Sequence, residues 1–124
     1  MNARQAALFQ RGAFKLHSGD VTTWKVECDA LTAEDWEGLA AIALDRFSLA
    51  YIQRVIAVPR GGVPFAEALR PLIGGVGSVL VVDDVLTTGA SMRATMRQHP
   101  GSVGLVAFAR GPLPPRVMAL WSLG

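Results

Sequence analysis

Asp83, Asp84, Thr87, Thr88, Gly89, Ala90 and Ser91 lie within nine consecutive positions, directly after the apolar run Val79-Leu80-Val81-Val82. Two adjacent carboxylates at the end of an apolar strand are acceptors for hydroxyl groups or for a hydrated cation. Three hydroxyl side chains and a glycine follow. Successive backbone N–H groups there, at the start of a helix, form a nest for an anion. Hydroxyl acceptors beside a phosphate cradle complement the two halves of a sugar phosphate.

A second loop, Pro59-Arg60-Gly61-Gly62, closes the apolar run Val55-Ile56-Ala57-Val58. Arg60 can donate to phosphate, and the two glycines allow the backbone to come close to a ligand. By itself this loop reads equally well as a tight turn. Two alternatives for the acidic strand fail on composition. A Walker-type nucleotidase needs a GK[ST] loop, and the chain has none. A receiver domain needs a later phospho-accepting Asp and a Lys, yet no acid follows Asp84 and no lysine follows Lys25.

The elements that position these loops follow from periodicity. Thr32 with Asp35 makes a capping box. Trp36, Leu39, Ala40, Ala43, Leu44 and Phe47 then recur at helical spacing. Val55–Val58 and Val79–Val82 read as buried strands, Val63–Leu72 and Ser91–Gln98 as helices, and Val103–Phe108 and Val117–Trp121 as further strands. Residues 3–11 suggest a short helix, and residues 14–16 and 22–26 two short strands around a turn. Alternating strands and helices predict an α/β class with a mainly parallel sheet flanked by helices. Ligands of such sheets bind at the carboxyl ends of the strands, where both loops fall.

Composition bounds the rest. At 124 residues, 51% hydrophobic and 18% charged, with 13 glycines and 7 prolines, the chain reads as a single folded domain rather than a disordered or fibrous one. One cysteine, Cys28, excludes an internal disulfide, and with His17 and His99 far apart it excludes a standard zinc site. A lone thiol and the lack of a long apolar stretch point to the cytoplasm and away from a membrane. The net charge of +2 gives nucleic acid little purchase. Residues 85–124 hold four arginines and no acid, a balance suited to an anionic ligand.

The segment Val79–Ser91 resembles the phosphoribosyl-pyrophosphate (PRPP) signature of the type I phosphoribosyltransferases: hydrophobic residues, two acids, two hydrophobic residues, then a Thr/Gly/Ser loop. Thr87 is closer to the orotate-type enzymes than to the purine-salvage branch, where an Asp is usual. The resemblance implies that Asp83 and Asp84 hold the ribose hydroxyls, that Thr87, Thr88, Gly89, Ala90 and Ser91 wrap the 5′-phosphate, and that Arg60, Gly61 and Gly62 meet the pyrophosphate. It implies Mg²⁺ carried by PRPP near Asp83 and Asp84, without a dedicated metal site. Phe14, Leu16, Ser18 and Gly19 resemble the opening of orotate phosphoribosyltransferases, with His17 where a lysine is usual. Phe14, His17, Ser18 and Gly19 would belong to a hood, about residues 12–30, over a PRPP-binding core, about residues 31–110.

The expected fold is thus a reduced type I phosphoribosyltransferase domain with a small N-terminal hood. The expected activity is transfer of the 5-phosphoribosyl group to an orotate-like nucleobase, with a homodimer as the expected assembly. The alternative is a non-catalytic PRPP- or nucleotide-binding regulatory module, or, less in keeping with the motif, an interaction protein that kept only the fold. One departure supports the alternative. The family normally has about two strands and a flexible closing loop between the two motifs. Here Val63–Ser78 leaves room for one helix and a glycine-rich link, with Arg70 as its one basic residue.

Overall fold

The computed structural model describes Cys28 and residues 30–122. Phe14, His17, Ser18 and Gly19, the two short strands expected around them, and the helix expected at 3–11 lie outside the described residues.

Helix α1 (Ala33–Arg46) begins as its sequence requires. The Thr32 hydroxyl accepts from the Asp35 amide at 3.2 Å, and the Thr32 amide donates to the Asp35 carboxylate at 3.0 Å. Two orphan donors of the first turn are thereby satisfied. Trp36, Leu39, Ala40 and Ala43 are buried, whereas Leu44 is 43% exposed and stands off the stripe on which it was expected. Thr32→Ala is expected to cost about 1 kcal/mol, read as a lower urea midpoint at unchanged slope.

Strand β1 (Ile52–Ala57) leads through residues 58–62 into α2 (Val63–Leu69), a 3₁₀ turn (Arg70–Leu72) and strand β2 (Ser78–Leu86). Helix α3 (Ala90–Arg97), strand β3 (Val103–Ala109) and strand β4 (Val117–Ser122) follow. The four strands pair in the order β1-β2-β3-β4, all parallel. Each expected strand and helix from Thr32 onward is present, with three differences of extent. β1 starts earlier than its apolar run, because buried Ile52 pairs with Ser78 while the exposed Gln53 and Arg54 hide the pattern. The helix expected over Val63–Leu72 stops being α-helical at Leu69, since Pro71 lacks the N–H that would continue the ladder. β2 runs through both acids instead of ending at them: Asp83 stays paired with Val106, and Val85 with Phe108.

The sheet is covered on both faces. Trp36, Leu39, Phe65 and Leu69 of α1 and α2 pack with Leu80, Val82, Leu105 and Ala107. The Trp36 and Phe65 rings lie 5.3 Å apart. Met92 and Met96 of α3 pack on the opposite side with Val81, Val106 and Val117. Strands that advance in one direction place right-handed crossover helices on a single face. With α2 and α3 on opposite faces, one of these two crossovers has the rarer hand. Glycines permit the tight link that makes this route. A Cβ on Gly75 would lie 1.9 Å from the Ala50 carbonyl oxygen, and one on Gly77, at φ 135°, 2.3 Å from that of Tyr51.

The two outer strands each have an arginine on a carbonyl: Arg70 donates to Val55 of β1 at 3.4 Å, and Arg46 donates to Leu120 of β4. Arg46 also lies 5.5 Å over the Trp121 ring, which stacks on Phe108. Trp36 and Trp121 are therefore packing residues, as their positions suggest, and Cys28 is buried in the same core. Among the described residues no helix is long and apolar enough to cross a membrane.

Candidate functional site

The carboxyl ends of β1 and β2 open into a cavity of about 410 Å³. Its walls are the two loops singled out in the sequence. Arg60 and Gly61 come from one, Asp83 and Thr87–Ser91 from the other, and Val58, Pro59, Val85, Leu86 and Met92 complete the lining. Two stretches more than twenty residues apart in the chain thus face each other. Parallel pairing produces this by setting Ala57 beside Val82.

The phosphate-type loop is built by local bonds. Gly89 takes φ 83°, the left-handed region open to glycine, and caps α3. The Thr88 hydroxyl accepts from the Ala90 amide at 3.3 Å, and the Gly89 carbonyl accepts from the Arg93 amide at 2.9 Å. Among the described residues the amides of Gly89, Ser91 and Met92 have no acceptor. These are the donors that a helix start leaves over, and they stand at the cavity wall where an anion would meet them.

The two acids separate. Successive residues of a strand project to opposite faces. Asp83 reaches the cavity wall, and its carboxylate accepts from the Asp84 amide at 2.8 Å. Asp84 is 2% exposed and does not line the cavity. Its carboxylate accepts from the Val85 amide at 2.7 Å and lies under Gly61, where a Cβ would come within 2.7 Å of both carboxylate oxygens. Gly62 is likewise behind the wall. A Cβ there would lie 2.3 Å from the Val82 carbonyl oxygen and 2.9 Å from that of Val58. Both glycines lie close against β2 and Asp84, which seats the loop on the sheet, while Gly61 also lines the cavity. The Pro59–Arg60 peptide is cis.

Segment 110–116 supports the loop from outside, a role the sequence reading did not assign. It joins β3 to β4 without a helix. The Arg110 amide donates to the Leu86 carbonyl at 2.8 Å. A Cβ on Gly111 would lie 2.5 Å from the Thr87 carbonyl oxygen, and one on Gly89 3.0 Å from the Pro114 ring. The signal was present in Gly111-Pro112-Leu113-Pro114-Pro115, a run suited to an extended strap and to neither a helix nor a central strand. Arg70, the one cation of the link, is bonded to Val55 and is not part of the cavity wall. Among the described residues no three His, Cys, Asp or Glu side chains gather as a metal site.

No family model matches the chain, and no curated protein matches it. Solved structures do. An orotate phosphoribosyltransferase from Aeropyrum pernix superposes with a TM-score of 0.59 at 23% identity, covering 74% of this chain and 73% of that one. A hypoxanthine-guanine phosphoribosyltransferase from Schistosoma mansoni, in complex with IMP, is similar at a TM-score of 0.45 and 14% identity over 73% of this chain and 61% of that one. A four-stranded parallel sheet flanked by helices agrees with the superposition on the orotate phosphoribosyltransferase: the chain has the type I phosphoribosyltransferase fold.

Proposed function

We propose that the cavity binds PRPP and that the chain transfers its 5-phosphoribosyl group to a nucleobase in the cytoplasm, releasing pyrophosphate. The observation that carries this reading is the meeting of Asp83 and the Thr87–Ser91 loop with Arg60 and Gly61 around one cavity. In this reading the amides of Gly89, Ser91 and Met92 hold the 5′-phosphate, helped by the positive end of the α3 dipole. Asp83 accepts from the ribose hydroxyls. Arg60 faces the pyrophosphate. Asp84 acts from behind, keeping Gly61 and its loop on β2. The similarity to an orotate phosphoribosyltransferase supports an orotate-like base, with the hood residues Phe14, His17, Ser18 and Gly19 on the base side.

Transfer displaces pyrophosphate from C1 by a ring nitrogen of the base, with positive charge building on the ribose and negative charge on the leaving group. The chain's contribution is to hold the reactants in line and to place donors around the departing charge. Mg²⁺ fits this site as an ion carried by the substrate: Asp83 offers a carboxylate at the wall, and a hydrated ion needs one or two carboxylates plus phosphate oxygens. Bound there, it would neutralise charge on the leaving pyrophosphate. The reading includes a homodimer, which light scattering decides.

A second reading, a non-catalytic PRPP- or nucleotide-binding regulatory module, is favoured by the segment between the two loops. It holds α2, a 3₁₀ turn and a five-residue link, and its arginine is engaged on β1. Nothing in that segment closes over the cavity. An active site left wet weakens each electrostatic contact in it and lets water compete with the base. Transfer is therefore expected to be slow, with PRPP hydrolysis at a comparable rate. Pyrophosphate release is measured with orotate, uracil and purine bases, and without any base. Fast transfer to one base with negligible hydrolysis would contradict the expected rate, and binding without turnover would select the regulatory reading.

A further inference from the structure

A second depression, of about 280 Å³, lies between α3 and the strap at 110–116, and its lining includes Arg93, Arg97, Gly101, Ser102, Pro114 and Arg116. Arg93 and Arg97 are four residues apart on α3 and share one face of it. Arg116 stands on the other wall, and its guanidinium donates to the Gly101 carbonyl at 3.0 Å. Arg93 donates through one nitrogen to the Thr88 carbonyl at 3.1 Å. A guanidinium carries five donors, so most of the donors of Arg93 and Arg116 remain available. Among the described residues none of the three arginines is paired with a carboxylate, and the Arg97 side chain has no hydrogen-bond partner. No acid occurs anywhere in residues 85–124. Three like charges gathered round one groove repel one another unless an anion joins them. Guanidinium forks match phosphate oxygens two at a time, and forks on two walls match more than one phosphate group.

We propose that this groove is a separate anion site for a small molecule bearing two or more linked phosphates. It does not depend on what the cavity at the strand ends binds. Arg93 joins the two places: it lines the groove and its guanidinium carbon would lie 3.7 Å from a Cβ on Gly89, against the back of the Thr87–Ser91 loop.

The test is an NMR titration of the isotope-labelled full chain with inorganic tripolyphosphate. It follows the side-chain Nε–H signals of Arg93, Arg97 and Arg116 together with the Ser91 amide. The three arginine signals are expected to move together and saturate with one dissociation constant. The double variant Arg97→Gln, Arg116→Gly should weaken that constant by at least about tenfold, with the Ser91 amide responding as before. Arg116 has φ 67°, a conformation natural to glycine, so its replacement removes the charge without straining the backbone. Should the double variant unfold, Arg97→Gln alone, on an exposed helix surface, makes the same comparison. Arginine signals unmoved up to millimolar ligand would overturn the proposal. An unchanged constant in the variants would do the same, as would equal shifts with citrate at matched ionic strength.

Discussion

Asp83→Asn is expected to weaken PRPP binding by about ten- to a hundredfold while leaving the unfolding midpoint close to that of the unaltered chain. The asparagine keeps the shape and loses the charge of the one acid that lines the cavity among the described residues. A hydrogen bond to a charged group contributes about 1.5–3 kcal/mol, which sets that range. Asp84 should behave in the opposite way. It is buried, accepts from the Val85 amide and lies against Gly61. Asp84→Ala strands a buried donor and is expected to cost about 1–3 kcal/mol of stability. Calorimetric titration with PRPP and Mg²⁺, paired with thermal unfolding of each variant, separates the two roles. Equal binding by Asp83→Asn and the unaltered chain would remove Asp83 from the site.

Gly62→Ala is expected to destabilise the fold strongly, by about 3 kcal/mol or more. The added methyl would meet the carbonyl oxygens of Val82 and Val58 at 2.3 and 2.9 Å. Both belong to backbone that pairs across β1 and β2, since the Val58 amide donates to the Val82 carbonyl at 2.8 Å. Neither can yield as the far end of a flexible side chain would. The control is Gly74→Ala, where an added Cβ meets nothing within 4 Å and the change should stay within about 1 kcal/mol. Urea unfolding measures both. A Gly62→Ala protein as stable as Gly74→Ala would mean that the loop does not sit on β2 as described.

The sequence made much of this architecture legible, for particular reasons. Thr32 and Asp35 announce α1 because a capping box is a local device that needs no tertiary partner. Val79–Val82 announces β2 because a strand buried on both faces is apolar throughout. The end of β2 was less legible, because whether Asp83 and Asp84 continue the strand depends on pairing with β3, more than twenty residues later. The same limit applies to Asp84, whose burial is decided by Gly61 arriving from the other loop. Gly61 and Gly62 signal a close approach in the sequence, and that Asp84 and Val82 are among the residues approached is set by β2 arriving from elsewhere in the chain. The role of the strap at 110–116 is not legible in the sequence, because it lies in contacts with Thr87 and Gly89, which composition does not encode.

The central claim, that the cavity at the ends of β1 and β2 is a PRPP site, is tested most directly by calorimetric titration of the full chain with PRPP in the presence of Mg²⁺. The expected result is saturable binding at one PRPP per chain, displaced by pyrophosphate and lost in proportion in Asp83→Asn. No heat and no saturation at millimolar PRPP, with the chain folded by circular dichroism, would contradict it.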